Sequence, residues 1–585
     1  MLKCSSRLTV VWCLFIYLTC FGQIAHAKEG LLRQRRAQHA VRLAIPLGDG
    51  IAGEDVALAL GVQAAEPSPV NSWGTGQANE TFSVGIHDKH GRPQAEENSI
   101  TLRVSALMIA NVACVIALLY LIKSEDEDIR YYALRTIDLG ISLFTALVLF
   151  SAVHRCITEY LTGGSQPPIW VQVLHMLIWF VIMQTLAATL SGAVSFLSKE
   201  LAPPDPDRHD DSMVEIREEW RRRRLQVKCW AGLTTHLTAI AGMTALGSLQ
   251  EVPFFARSPL TSLLVVPIGF VSTLLLYQGV ERVRYHVAMA DDGLVDFAEA
   301  MWDEEAKHGE NEVISLSLSF VTLQAYGFWL VGRGPMSLSS AEGISVRTGT
   351  WQEILGLVIF AGLCIGLTIP FARLYEALKR RWHIADGNDN VILRCVGIGV
   401  NYFMMCLAWS MLTAIKEGTA IIFPTLAKDG IVLKIAVALT TTFLTFGVIL
   451  VLDKIADMHV AGGQTERIIV TIINANSFLI GFSWEVCFSK ALVAIGGPRG
   501  NVSGITHLAL SIMVCVVVIP AYRWYLLPER HGEGQELAKM RKGISVLCGE
   551  EVDNVTSEFP ATRSGNFAKN HGRSKLDIVA ESLDS

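Results

Sequence analysis

The chain has 585 residues, of which 51% are hydrophobic and only 18% are charged, whereas a water-soluble protein contains roughly 25% charged residues. This composition excludes a disordered, collagen-like or ordinary soluble chain and indicates a membrane protein. The net charge of −6 includes no basic excess, so we expect no nucleic-acid partner.

Residues 1–27 have the pattern of a secretory signal peptide. Lys3 and Arg7 provide the positive region, an apolar core follows, and Ala25-His26-Ala27 matches the small-residue cleavage pattern. An uncleaved membrane anchor is the alternative. Either way, the pattern predicts a membrane protein of the secretory pathway, in the plasma membrane or an endomembrane.

Residues 28–100 form a polar segment rich in Gly, Pro and Asn. Asn79-Glu80-Thr81 is a glycosylation acceptor, which indicates an extracytoplasmic location. Because hydrophobic periodicity is weak here, we expect a poorly ordered segment.

Eleven apolar segments follow within a transmembrane domain at residues 101–527. Each is close to the ~20 residues that a helix needs to cross the bilayer, and helices are expected because backbone groups cannot stay unpaired in lipid. The sequence therefore predicts an all-α polytopic bundle with these spans: 104–122, 135–154, 170–197, 229–249, 260–280, 314–331, 353–372, 391–415, 431–452, 468–495 and 504–526.

The signal peptide and the odd number of spans predict an extracytoplasmic N-terminus and a cytoplasmic, disordered tail at residues 528–585. Basic clusters such as Arg221–Arg224 and Lys379–Arg381 fall in the loops assigned to the cytoplasm, as the positive-inside rule requires. The second acceptor, Asn501-Val502-Ser503, falls outside.

A short pattern recurs along the second half of the chain. His followed by small residues ends three spans, and in two of the returning spans Asn, Phe and Trp recur at identical offsets. These spacings predict parallel two-helix pseudo-repeats, although Phe and Trp are common in membrane helices and coincidence is the alternative. The positions are His286, His383, His459, Asn401, Trp409, Asn476 and Trp484.

One further motif lies around the ninth and tenth spans. Gly481-Phe482-Ser483-Trp484-Glu485, with Asp453–Asp457 before it, resembles a motif pair in uncharacterised multipass membrane proteins of dinoflagellate-type protists. The resemblance implies a lineage and no activity.

Glu485 is the principal candidate for a functional residue, because a charge near mid-bilayer costs at least ~2.5–3.5 kcal/mol. Asn474 and Asn476 precede it in the same span, and Asn401 and Ser410 are the matching positions of the eighth span. These five residues are predicted to bind a substrate or ion. The alternative is that Glu485 locks helices together by pairing with Arg394, Lys490 or a backbone amide.

Other polar residues have simpler interpretations. Asp138 is expected to pair with Arg135 on its own helix, and His175 and His236 to hydrogen-bond between helices. We expect residues 212–228 to extend the fourth span as a helix. The acidic segment 291–312, with apolar residues at helical spacing, is expected to be a solvated amphipathic helix.

The sequence contains no phosphate-binding glycine loop, zinc-ligand motif or nucleophile elbow, so we predict no catalytic residue, metal or cofactor. We expect a transporter or ion-permeable protein that acts on a small solute or ion in a lipid bilayer. A structural or sensory membrane protein is the alternative, and a membrane-embedded enzyme is a third reading.

Overall fold

The computed structural model describes residues 112–194 except 115, 211–290, 295–332, 349–381, 390–424, 430–457, 463–495, 504–530 and 532. All of them belong to one unit, and a second unit, Leu18–Ile109, falls outside the described residues. The predicted signal peptide, the segment 28–100, both glycosylation acceptors and the tail beyond residue 532 also lie outside them.

Ten long helices make up most of the described chain, and no strand occurs in the ranges just given. A shorter apolar helix, Val112–Ile122, precedes them. The ten are α1 (Glu127–Cys156), α2 (Ile169–Ser191), α3 (Asp211–Gln250), α4 (Val265–Ala288), α5 (Phe297–Val331), α6 (Trp351–Arg381), α7 (Val391–Ile422), α8 (Gly430–Asp457), α9 (Gly463–Ile495) and α10 (Gly504–Ala521).

The prediction of an all-α polytopic bundle is confirmed. Nine of the described helices, all of the ten except α3, are long and apolar enough to cross a membrane. The other two predicted spans correspond to α3 and to Val112–Ile122, so each of the eleven apolar segments contains a helix.

The helices divide into an inner and an outer set. Only 22% of the most apolar stretch of α4 and of α6 is buried, against 72% for α1, so α4 and α6 leave most of their apolar surface for lipid. The central cluster is built mostly from side chains of α1, α3, α5, α7 and α9, with Phe180 and Met183 of α2 and Tyr277 of α4 at its edge. The core therefore lies between these inner helices.

Helix α3 is polar because it lies in the middle of the bundle rather than against lipid. Its threonines satisfy their hydroxyls on their own helix; Thr234 and Thr244, for example, donate to the carbonyls of Trp230 and Ile240. A side chain of the neighbouring helix α5 also binds the backbone of α3: Ser317 donates to Ala239 O at 3.0 Å. Small polar side chains of this kind hold membrane helices close together.

Residues 297–312 are not a separate solvated helix, and this expectation was wrong. They form the first half of α5, which begins with a capping box between Asp296 and Glu299. Met301 and Trp302 are buried there. Met301 packs against residues of α3, and Trp302 packs against residues of α2. The predicted helical extension of the fourth span is present as the first part of α3, and it covers the apolar side of residues 297–312. At 35 residues, α5 is about 52 Å long, well beyond the ~30 Å of hydrocarbon.

Helices α1 and α9 approach each other closely at two glycines. A Cβ added to Gly481 would lie 2.9 Å from the carbonyl oxygen of Gly140 and 3.0 Å from Leu143 Cδ2. The atom at 2.9 Å is a backbone oxygen, which cannot move away by a change of side-chain rotamer. Position 481 therefore has to be glycine if this helix pair is to keep its spacing.

We predict that Gly481→Ala destabilises the protein by about 1–3 kcal/mol, the usual cost of overpacking, measured as thermal unfolding in detergent. Gly447→Ala is the matched control, since a Cβ at Gly447 of α8 meets nothing within 4 Å. It should be neutral or stabilising by about 0.5–1 kcal/mol. Equal unfolding temperatures for the two variants would contradict the assigned close approach.

Candidate functional site

Charged side chains of three helices meet near one end of the bundle. In α5, Asp303, Lys307 and Glu310 are spaced i, i+4 and i+7 and so share one face of the helix. In α4, Glu281 and Arg284 are one turn apart near the end of the helix, and α7 contributes Arg394 in its first turn. We call these six side chains the charge ring: Glu281, Arg284, Asp303, Lys307, Glu310 and Arg394.

Glu310 is the most buried member of the charge ring and pairs with two guanidinium groups. Arg284 Nη1 lies 2.5 Å from Glu310 Oε1, and Arg394 Nη2 lies 2.7 Å from Glu310 Oε2. One carboxylate thus joins α4, α5 and α7.

The remaining contacts close the ring. Lys307 Nζ lies 2.8 Å from Glu281 Oε1 and 2.9 Å from Asp303 Oδ2. Asp303 Oδ1 accepts from Arg284 Nε at 3.1 Å. Arg394 Nη1 lies 3.5 Å from Glu281 Oε2. Positive and negative groups therefore alternate around the whole ring, three of each, and the ring is formally neutral.

Two amide side chains complete its hydrogen bonds. Gln184 of α2 donates to Glu310 Oε1 at 2.9 Å and accepts from Arg284 at 3.3 Å. Asn311 Oδ1 accepts from Arg394 Nε at 2.8 Å. The site therefore ties a fourth helix, α2, into the same cluster.

The members of the charge ring differ in exposure. The side chains of Arg284, Glu310 and Arg394 are 3%, 0% and 1% exposed, whereas Glu281 and Asp303 are 27% and 26% exposed. Removing charges from water costs several kcal/mol for each ion, and pairing offsets this only when the geometry is good and other hydrogen bonds are made. The alternation around the ring and the two amides provide these conditions.

The charge ring lies where lipid-facing surface gives way to polar surface. Val283 and Val287 on the outer side of α4 are exposed, which is typical of contact with lipid, and the neighbouring Arg282 is exposed as well. Apolar and charged groups side by side indicate the level of the membrane interface. The ring thus lies near one end of the bundle.

Sequence reasoning found only one member of this site. Arg394 was considered as a partner for Glu485, but its partners in the structure are Glu310, Glu281 and Asn311. The signal that was available is the charged face of Asp303, Lys307 and Glu310, which runs without a break into the apolar sixth span. Because residues 291–312 were expected to form a solvated helix, this charged face was not recognised as part of a buried site.

Glu485 is buried, and its carboxylate lies between two helices. Oε1 accepts from Ser489 of the same helix at 2.7 Å and from Ser151 of α1 at 3.2 Å. These hydroxyls hold the carboxylate at the α1–α9 contact.

The structure gives the other four predicted binding residues different surroundings. Asn474 accepts from Arg135 of α1 at 2.7 Å. The amide of Asn476 donates to Ile472 O, and the hydroxyl of Ser410 to Leu407 O, each within its own helix. Asn401 is half-buried. The described contacts do not join these residues to Glu485, and their role in binding stays a prediction.

The residues of the predicted repeat also have different environments. Trp409 is buried with its ring 4.4 Å from Phe482 and 5.2 Å from Phe320. Trp484 donates to Thr442 of α8 at 3.2 Å. His286 is exposed, and His383 and His459 lie outside the described residues.

Two of the simpler expectations are also revised by the structure. Asp138 forms its ion pair with Arg530, beyond α10, and Arg135 binds Asn474 instead of Asp138. His175 accepts from Trp179 on its own helix at 2.8 Å, so this bond is not interhelical. His236 does contact a different helix, α1, as expected.

Comparison of the chain with known protein families, with curated proteins and with solved structures finds no match. The resemblance to multipass proteins of dinoflagellate-type protists therefore stays an expectation. What can be concluded about the class of this protein follows from its fold and side chains: it is an all-α multipass membrane protein.

We predict that Glu310→Gln destabilises the protein by about 3–5 kcal/mol, because it removes the carboxylate that both buried guanidiniums contact most closely and leaves each with one partly exposed partner, Asp303 or Glu281. The double variant Glu310→Gln/Arg394→Gln should lose less than the sum of the two single changes, with a coupling of about 0.5–3 kcal/mol. Chemical unfolding in detergent measures all three variants.

The control for this series is Glu219→Gln, which removes an exposed pair with Arg222 on α3. Its effect should stay below about 1 kcal/mol. Additive effects of Glu310→Gln and Arg394→Gln would contradict direct pairing of the two side chains.

Proposed function

We propose that the protein is a transporter of a small solute or ion and that the charge ring is the closed gate at one end of its pathway. The observation that carries the proposal is the closed, neutral alternation of three cations and three anions between α4, α5 and α7. Ionisable residues of membrane-spanning helices that face the interior of the bundle are functional candidates by default.

The energetics of buried charges favour a gate over a permanent seal. Apolar side chains of similar volume hold helices together as well as a buried ion pair does, or better. Charges differ because they regain hydration when the helices separate and water enters. Opening a charged seam to water therefore costs less free energy than exposing an apolar seam of the same area.

The position of α4 also supports a moving gate. This helix brings Glu281 and Arg284 to the ring while most of its apolar stretch remains unburied. A helix with few partners outside the ring can shift once the ion pairs open. Alternating access in transporters is largely a movement of one group of helices against another around a central site.

The substrate site in this proposal lies between the ring and the opposite end of the bundle. Glu485, Asn474, Asn476, Asn401 and Ser410 supply carboxylate, amide and hydroxyl groups for binding. In the proposed topology the N-terminus is extracytoplasmic and the ring faces the cytoplasm, with Asn79 and Asn501 on the outside.

A structural or sensory membrane protein is the second candidate. The observation that favours it is that each charged group of the ring has an opposite charge within 3.1 Å. In this reading the ring is a permanent clamp, and changing it alters stability without altering flux.

We predict that Asp303→Asn raises the flux of protons, Na⁺ or K⁺ into vesicles that contain the purified protein. The change removes one charge at the exposed edge of the ring, where a loss of about 1–2 kcal/mol in the free energy of closing corresponds to a roughly 5- to 30-fold larger open fraction. Fluorescent indicators inside the vesicles measure the rate.

Glu305→Gln is the matched control, because it removes the same charge from α5 at a position outside the charge ring. Its flux should equal that of the wild type. In the same vesicles Glu485→Gln should lower the flux. Destabilised but flux-neutral Asp303→Asn protein would favour the structural reading.

The proposed topology is tested separately in cells. We expect glycosidase treatment to increase the mobility of the wild-type protein, and replacing Asn79 and Asn501 by Gln to abolish this shift. A C-terminal tag should be protected from external protease in intact cells. A tag that is digested from outside would reverse the orientation assigned to the ring.

A further inference from the structure

Helix α5 carries a second group of titratable side chains, on a face away from the charge ring. His308 and Glu312 are four residues apart, and the helical period places both on nearly the opposite side of α5 from Glu310. This face is directed toward α3, which contributes His236. None of the three belongs to the charge ring or to the binding residues proposed above.

The Glu312 carboxylate lies between two imidazoles. Its Oε1 is 4.0 Å from His308 Nδ1, and its Oε2 is 4.0 Å from His236 Nε2. Side-chain exposure falls along this series, from 69% at His308 through 21% at Glu312 to 2% at His236. The three groups therefore form a line from solvent to the centre of the bundle.

His236 is held at the buried end of this line by its other nitrogen. Nδ1 lies 3.1 Å from Ser142 Oγ of α1, and the imidazole meets the Phe478 ring edge to face at 5.4 Å. Within the part of the chain that the structure describes, Nε2 has no hydrogen-bond partner. A fully buried nitrogen normally has one, so Nε2 is a vacant acceptor or donor position directed at Glu312.

The other titratable groups near His236 are few. The hydroxyl of Tyr522 shares a hydrogen bond with Ser142, and Cys229 lies close to Tyr522. His308 and Glu312 are the charged or chargeable groups of α5 that face His236. Glu312 is therefore the counter-charge that an imidazolium at position 236 would have.

We propose that His236 and Glu312 form a proton-binding site that is filled from the ring end of the bundle through His308. A proton passes from solvent to His308, then to the Glu312 carboxylate and finally to His236 Nε2. Each 4.0 Å step requires a bridging water or a small side-chain rotation. The site changes from a net charge of −1 to 0, and no electron is transferred.

This inference rests on the proposed function, since it names the coupling ion of the transporter. The link to the gate is α5 itself. Asn311, which accepts from Arg394 of the charge ring, precedes Glu312 directly. A change of charge or position at Glu312 therefore acts on the helix that carries Asp303, Lys307 and Glu310.

The first test does not depend on transport. Infrared difference spectra of the purified full-length protein are recorded after a pH jump, which detects protonation of histidines and carboxyls. We expect a carboxyl signal and a buried histidine signal that titrate together in the wild type. In His236→Gln the histidine signal should be lost and the carboxyl signal should titrate over a different pH interval.

His286→Gln is the control, because His286 is an exposed histidine of α4 and its loss should leave the carboxyl signal unchanged. If His236→Gln does not fold, Glu312→Gln tests the same coupling. In that variant the buried histidine signal should titrate over a different pH interval from the wild type. A carboxyl signal that titrates identically in the wild type and His236→Gln overturns the proposal.

A flux measurement separates this proposal from the proposed function. Wild-type flux that depends on pH and loses this dependence in His236→Gln supports both. Flux with the same pH dependence in both proteins refutes the proton site and leaves the transporter intact. Coupled infrared signals without any flux would support the proton site and refute the transporter function.

Discussion

Mutual neutralisation of buried charge is the constraint on which this bundle depends. Glu310 is fully buried, and it is tolerated only because guanidiniums of α4 and α7 reach it from two sides. A carboxylate can meet two partners at hydrogen-bond distance only if all three helices are in one register. The pairing therefore fixes the heights of α4, α5 and α7 relative to each other, which apolar packing alone specifies weakly.

The same constraint explains how the polar interior is divided. On one face α5 carries charges that are balanced by its neighbours, and on the other it carries Glu312 between two histidines that need not be charged. On the first face every charged group of the ring is paired with an opposite charge, so the set is closed. The second has an unoccupied nitrogen and an exposed histidine at its outer end. A closed set is suited to holding one conformation until its ion pairs open together, and an incomplete set is suited to responding to pH.

The fold was predictable from the sequence to a large extent, and the site was not. Apolar runs determine helices in a membrane because the backbone has no other way to satisfy its hydrogen bonds, and each predicted span contains a helix. The periodicity of one helix also shows which residues share a face, as for Asp303, Lys307 and Glu310. It does not show which neighbour covers that face. Arg284 and Arg394 are separated in sequence from Glu310 by 26 and 84 positions, and nothing in the spacing of either joins them to it.

The order in which the chain is made has a consequence for the charge ring. Helix α4 contributes one acid and one base to the charge ring, and α5 then contributes two acids and one base, so the partial ring carries an excess negative charge. Only Arg394, which arrives with α7 after the whole of α6, cancels it. The growing protein must therefore keep an unbalanced carboxylate near water, or pair it temporarily, until the seventh of these helices is inserted. The charge ring is therefore complete only when α4, α5 and α7 have assembled.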